Sequence, residues 1–297
     1  MLQPLLEAGL RQTMNCLVRP ILSPAVPVRV QRALVRQAYR SSMPPRGCRF
    51  SPGTLGGVPV VRTRCGQTQD GVVLYLHGGG FIIGSADTHR GLTGHLARAS
   101  QCLVVTPDYR LAPEHPFPAA LDDVEAAYLQ LLAEGYEPGQ IALAGDSAGG
   151  GLCVSLAMRL REHQHPLPSS LTLLSPWTDL TQEHLYQPES EPVLQPAWTA
   201  KAAKLYAGDS SLTDPLISPV FGNLRGLPPI LIQVGSDEIL LNDAERMAQA
   251  ATRDRVPVSL EIYNSLWHVF QVHSGQLRRA TEAVQAAGDY IRANLKG

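Results

Sequence analysis

An excess of charge of either sign is missing from this 297-residue chain: 25 Lys and Arg stand against 26 Asp and Glu, for a formal net charge of -1 and a pI near 6.8. No basic field exists to hold nucleic acid or an anionic membrane surface, so neither is an expected partner. Long apolar runs are missing too. No window approaches eighteen uninterrupted apolar residues, which excludes integral membrane association through a helix. The start, Met1-Leu2-Gln3-Pro4-Leu5, is soon broken by Glu7, Arg11, Gln12 and Arg19 and lacks the basic-then-apolar order of a signal peptide. Cysteine is scarce. Cys16, Cys48, Cys65, Cys102 and Cys153 are odd in number and follow no framework spacing, so they read as free thiols in a reducing compartment, and a cytoplasmic protein is expected. Among nine histidines, the pairs His163/His165 and His89/His95 have no companion Cys, His or carboxylate at ligand spacing, so no metal and no cofactor are expected. Internal repeats and low-complexity tracts are also missing.

What is present is a 44% hydrophobic composition, enough for one large α/β domain. Strand patterns near residues 58–62, 72–76, 102–106, 141–144, 171–175, 230–234 and 258–263 alternate with helical stretches. Such alternation predicts a mostly parallel central sheet with helices on both faces.

The chemistry begins where Ile141-Ala142-Leu143-Ala144 runs into Gly145-Asp146-Ser147-Ala148-Gly149-Gly150. A serine between glycines at a strand-to-helix junction is a nucleophile elbow, because the strained backbone tolerates only small neighbours. Upstream, Val72 to Leu76 leads into His77-Gly78-Gly79-Gly80-Phe81. Acyl transfer places a negative charge on the former carbonyl oxygen, and a glycine run leaves backbone N-H groups open to receive it. The N-H groups of Gly78, Gly79 and Ala148 are the expected oxyanion hole, each worth about 3 to 4 kcal/mol of transition-state stabilisation. His77 is expected to order this loop rather than move protons.

Downstream, Pro229 to Gly235 is a strand followed by Ser236-Asp237-Glu238, and Val258 to Tyr263 is a strand followed by Leu266-Trp267-His268-Val269-Phe270. The order Ser147, Asp237, His268 is that of the α/β-hydrolase fold. His268 is the expected general base and acid, with Asp237 orienting it. Glu238 and Asp243 are the rival acids: Glu238 should point opposite to Asp237, and a helix starting near Leu241 should carry Asp243 away. His273 is the rival base, without the preceding strand and turn.

These motifs resemble the bacterial hormone-sensitive-lipase-like esterases of the α/β-hydrolase superfamily. The resemblance continues through Asp108-Tyr109-Arg110-Leu111-Ala112-Pro113-Glu114, Pro116-Phe117-Pro118-Ala119-Ala120, Ser175-Pro176-Trp177, Asp214-Pro215, Ser218-Pro219 and Trp267-His268-Val269-Phe270, and so covers most of the chain from about Val72 onward. It implies a carboxylesterase without metal or cofactor, acting on short- to medium-chain esters, with Ser147, Asp237 and His268 as its triad, and it allows a homodimer through edge strands. The chain departs from the family at the acid, where Asp237-Glu238-Ile239 replaces Asp-Pro-Leu. Within the Tyr109 to Glu114 segment, Arg110 and Glu114 are candidates to pair with each other.

Residues 1–45, cut by Pro20, Pro24, Pro27, Pro44 and Pro45, read as the first part of a helical cap, and 181–223 as its second part. Residues 46–180 and 224–297 form the catalytic domain. A small-molecule ester is the expected substrate. Two alternatives follow from the same residues: an amidase or arylacetamide-type hydrolase with the same triad, and a non-catalytic small-ligand receptor on the same scaffold, which the presence of His268 disfavours.

Overall fold

The computed structural model describes residues 2–39, 42–66 and 71–296. Its strands are β1 (Cys48–Leu55), β2 (Val58–Cys65), β3 (Val72–Leu76), β4 (Leu103–Pro107), β5 (Ile141–Asp146), β6 (Leu171–Leu174), β7 (Ile230–Gly235) and β8 (Val258–Tyr263). They form one sheet in the order β1-β2-β4-β3-β5-β6-β7-β8. Only β2 runs antiparallel to its neighbours β1 and β4; the other pairings are parallel. The helices are α1 (Leu2–Thr13), α2 (Arg19–Ile21), α3 (Val28–Ala38), α4 (Arg90–Ser100), α5 (Ala119–Ala133), α6 (Ala148–Glu162), α7 (Pro196–Ala207), α8 (Leu241–Arg253) and α9 (Arg278–Asn294).

Unbroken apolar runs fit strands covered on both faces, and β3 to β7 are buried along their whole lengths. Successive side chains point to opposite faces. Val73 and Tyr75 therefore join Leu92 and Leu96 of α4 and Val284 and Ile291 of α9 on one side. Val72, Leu74 and Leu76 join Leu121 of α5, Leu152 of α6 and Met247 of α8 on the other. This is the α/β-hydrolase fold, and it sets the ends of β3, β5, β7 and β8 along one rim.

β1 escapes sequence periodicity. Its residues, Cys-Arg-Phe-Ser-Pro-Gly-Thr-Leu, are mostly exposed and carry no apolar alternation, so only pairing with β2 defines it as a strand. That pairing sets Cys48 opposite Cys65, and the two are joined as a disulfide. The expectation of five free thiols is corrected: Cys16, Cys102 and Cys153 are free. A separation of 17 residues hides the pairing in the sequence, because the hairpin register alone brings these two side chains together. Among the described residues, no helix is long and apolar enough to cross a membrane.

The two stretches expected as a cap meet each other. Residues 1, 40 and 41 of the first lie outside the described residues. Arg19 donates to the carbonyl of Glu191 at 2.6 Å and to that of Leu194, Gln195 returns a bond to the Arg19 carbonyl at 2.8 Å, and Trp198 Nε1 donates to Gln31 Oε1 at 2.9 Å. Val18, Leu22 and Val35 pack into the same core as Val193, Leu194 and Trp198.

Candidate active site

β5 ends at Asp146 and α6 begins at Ala148, leaving Ser147 between them with φ +52° and ψ -121°. A non-glycine residue there carries about 1–3 kcal/mol of strain, which its surroundings must hold. They do so through main-chain bonds: Ser147 N-H donates to the Leu174 carbonyl at 2.9 Å, and the Ser147 carbonyl accepts from Trp177 N-H at 2.9 Å. The flanking glycines are steric necessities. A Cβ on Gly149 would overlap the Leu76 carbonyl, and one on Gly145 would meet the Gly149 carbonyl at 2.5 Å.

Ser147 Oγ lies 3.0 Å from His268 Nε2. The other ring nitrogen, Nδ1, lies 2.7 Å from Glu238 Oε2. Glu238 is fully buried, and its Oε1 accepts from Gly235 N-H at 2.6 Å and from Ser175 Oγ at 2.8 Å. Ser175 Oγ in turn accepts from Val269 N-H at 3.0 Å, which pins the loop carrying His268. The expectation for Asp237 is therefore corrected. Its carboxylate is 26% exposed and lies 2.8 Å from Arg11, with a second bond from Ser236 Oγ at 2.9 Å.

Asp237 and Glu238 do point in different directions, but the turn reverses the expected phase. The pleat stops at Gly235. Ser236 N-H then bonds the Tyr263 carbonyl and Asp237 N-H the Leu266 carbonyl, which curls the chain so that Glu238 faces inward. Of the other rivals, Asp243 accepts from the N-H groups of Thr178 and Asp179, both at 2.8 Å, and burial pushes its pKa up to about 7. His273 is set against Trp267, ring centroids 5.5 Å apart, and burial lowers its pKa to about 4.

Burial works against a charged His268, yet the hydrogen bond and charge of Glu238, followed by the charges of Glu191 and Asp146, outweigh it and hold the imidazole above the ordinary histidine value. A base so placed gains affinity for the serine proton.

The glycine loop after β3 also differs from expectation. Gly78 N-H donates to Asp146 Oδ1 at 3.0 Å, beside Tyr75 OH at 2.7 Å, so it is engaged inside the protein. Gly79, at φ +117°, and Gly80, at φ +60°, take a backbone conformation that favours glycine. Among the described residues, no acceptor takes the N-H of Gly79, Gly80 or Ala148. The sequence reading missed Gly80 and Asp146; the signal was Asp146 inside the serine motif, an acid that a buried turn must satisfy. Its charge is held by His89, 3.4 Å away, and despite burial the carboxyl lies below its ordinary pKa. His77 stacks on Tyr109 at 4.2 Å and donates from Nδ1 to the Gly78 carbonyl at 2.8 Å. Burial, then the neighbouring His89, lowers its pKa to about 3, so it stays neutral.

Two smaller expectations change as well. Arg110 pairs with Asp123 and Glu114 with Arg32, each at 2.7 Å, rather than with each other. His163 and His165 gain a carboxylate companion from α5, Glu125, their donor atoms all within 4.8 Å. Glu125 already bonds His163 at 2.7 Å and lies 3.6 Å from Arg159.

Above Ser147 and His268 lies a cavity walled by Gly79, Gly80 and, from the two cap stretches, Val18, Leu22, Leu194 and Trp198. Its free volume is ≈ 50 Å³. Trp198 closes its roof so tightly that a Cβ on Gly80 would meet the indole at 2.9 Å.

A family model described as alpha/beta hydrolase fold matches residues 73–272. An acetyl-hydrolase of Streptomyces hygroscopicus is 42% identical over 228 residues, covering 75% of this chain and 76% of its own. The putative acetyl-hydrolase LipR of Mycobacterium tuberculosis is 35% identical over 268 residues, covering 89% and 87%. Among solved structures, an esterase from the bacterial hormone-sensitive lipase family is 36% identical with a TM-score of 0.90, covering 98% of this chain and 97% of its own. The EstE5 structure soaked with p-nitrophenyl butyrate is 34% identical with a TM-score of 0.91, covering 98% of each chain.

Proposed function

The chain belongs to the α/β-hydrolase family, among the bacterial hormone-sensitive-lipase-like esterases, and from that premise we propose that it is a serine carboxylesterase whose relay is Ser147, His268 and Glu238. The observation that carries this reading is the continuous hydrogen-bonded line from Ser147 Oγ through both ring nitrogens of His268 to Glu238. His268 Nε2 takes the Ser147 proton as Oγ attacks the ester carbonyl. Glu238 keeps the other ring proton on Nδ1 and stabilises the imidazolium. The N-H groups of Gly79, Gly80 and Ala148 receive the oxyanion. The tetrahedral species collapses as Nε2 returns the proton to the leaving alcohol, and an acyl-Ser147 remains. Water, deprotonated by the same nitrogen, then releases the acid and frees the serine.

The narrow cavity under Trp198 supports short acyl groups, and the EstE5 relative was soaked with a butyrate ester. With p-nitrophenyl esters from acetate to palmitate, kcat/KM is expected to peak at acetate or butyrate and fall beyond; a maximum at palmitate overturns the short-chain reading. In this reading the N-terminal stretch and residues 181–223 act as the cap that sets this limit. A homodimer through β8 belongs to it too, since among the described residues that strand pairs only with β7 and leaves Ile262 42% exposed. The cytoplasmic placement argued from free thiols loses that support with Cys48 bonded to Cys65.

A further inference from the structure

Glu191 lies in the 181–223 insertion, outside every sequence motif, yet both of its carboxylate oxygens are bound where the cap meets the acid turn. Oε1 accepts from Val193 N-H at 2.7 Å and Leu194 N-H at 3.0 Å. Oε2 accepts from Ile239 N-H at 3.0 Å, and Ile239 is the residue after Glu238. The Glu191 carbonyl takes Arg19 from the N-terminal stretch at 2.6 Å, while Tyr186 N-H bonds the Ile239 carbonyl at 2.9 Å. One residue thus ties the insertion, the N-terminal stretch and the Glu238 turn together. Acceptance of N-H groups by both oxygens suits the ionised form, which has no O-H to set against a donor. Burial raises the carboxyl above its ordinary pKa, opposed by the charge of His268 and by these three N-H bonds.

We propose that Glu191 is a positioning residue of the esterase reaction: it locks the Glu238 turn to the cap and holds a second negative charge on the residue next to the acid that meets His268. The inference rests on the Ser147, His268 and Glu238 reading above. Glu238 meets Nδ1 and Ser147 meets Nε2, Asp146 acts from the end of β5 with His89 beside it, and the Arg11 and Asp237 pair flanks the acid turn from outside. Arg19 reaches the carbonyl of Glu191, not its carboxylate.

Free His268 must be neutral to accept the serine proton, so kcat/KM falls as pH drops through its pKa. Carboxylates raise that pKa; removing one lowers it, and the acid limb moves to lower pH. The test is the pH profile of kcat/KM for p-nitrophenyl acetate, together with that of Ser147 sulfonylation by a sulfonyl fluoride, in wild type, Glu191→Gln, Glu191→Ser and Glu191→Asp. Water fills the vacated N-H sites in the Ser variant. Gln and Ser are expected to shift the acid limb down by about half a pH unit or more, the scale for a charge acting at an effective dielectric near 20, and to lower kcat several-fold with KM nearly unchanged. Asp, which keeps the charge, restores the limb. An unmoved limb in the Gln and Ser variants, or a raised KM with kcat intact, reduces Glu191 to a cap contact and overturns the proposal. Activity that survives His268→Ala unchanged instead defeats the esterase reading itself.

Discussion

Glu238→Gln is expected to lower kcat by about 10⁴-fold, the scale seen when an orienting acid becomes an amide, while Asp237→Asn leaves kcat within about twofold. The introduced glutamine keeps the shape of the glutamate, and its amide oxygen still receives Gly235 N-H and Ser175 Oγ. Its NH₂ group then faces Nδ1, favours the tautomer with the proton on Nε2, and removes the lone pair that should receive the Ser147 proton. The imidazolium also loses its charge partner, 2.7 Å away in the wild type. Asp237 has none of these contacts. Its bridge to Arg11 is partly exposed on both sides, and such pairs contribute about 0–1 kcal/mol to stability. Steady-state kcat on p-nitrophenyl butyrate, with melting curves showing that both proteins are folded, separates the two acids. Loss of activity in Asp237→Asn with retention in Glu238→Gln would reverse the assignment.

Ser147→Ala carries the larger effect, on the order of 10⁶-fold in kcat. The alanine accepts the same backbone because the φ of +52° is imposed by the Leu174 and Trp177 bonds rather than by the side chain. What disappears is the nucleophile, and with it the covalent path. His268→Ala falls to a similar level, and the double variant falls little further, because residues that work as a unit do not contribute additively. The N-H groups of Gly79, Gly80 and Ala148 remain in these variants and account for the residual rate over water. Single-turnover assays with p-nitrophenyl butyrate check this: a burst of nitrophenol in the wild type, none in Ser147→Ala. A burst in that variant would place the acyl group elsewhere.

The sequence by itself determined much of this protein, because several of its signals are local. The apolar runs of β3 to β7 have one stable setting, inside a covered sheet, and their alternation with helices leaves few topologies open. Gly145 and Gly149 announce the serine turn because any larger side chain would strike backbone within the same turn or on β3. Ser147 and His268 were legible through residue type and chain order, and the fold brings them to 3.0 Å.

Tertiary structure decided the questions that begin where the regular pleat ends. Past Gly235, the bonds from the turn to Tyr263 and Leu266 determine that Glu238, not Asp237, meets His268. Asp146, reaching across from β5, occupies the Gly78 N-H and shifts the open donors to Gly79 and Gly80. Hairpin register joined Cys48 to Cys65, and Asp123 and Arg32 took the two charges expected to pair with each other. In each case, one residue's difference in where a group points outweighs its chemical type. That direction is set by bonds to elements distant in the chain, which local pattern does not record.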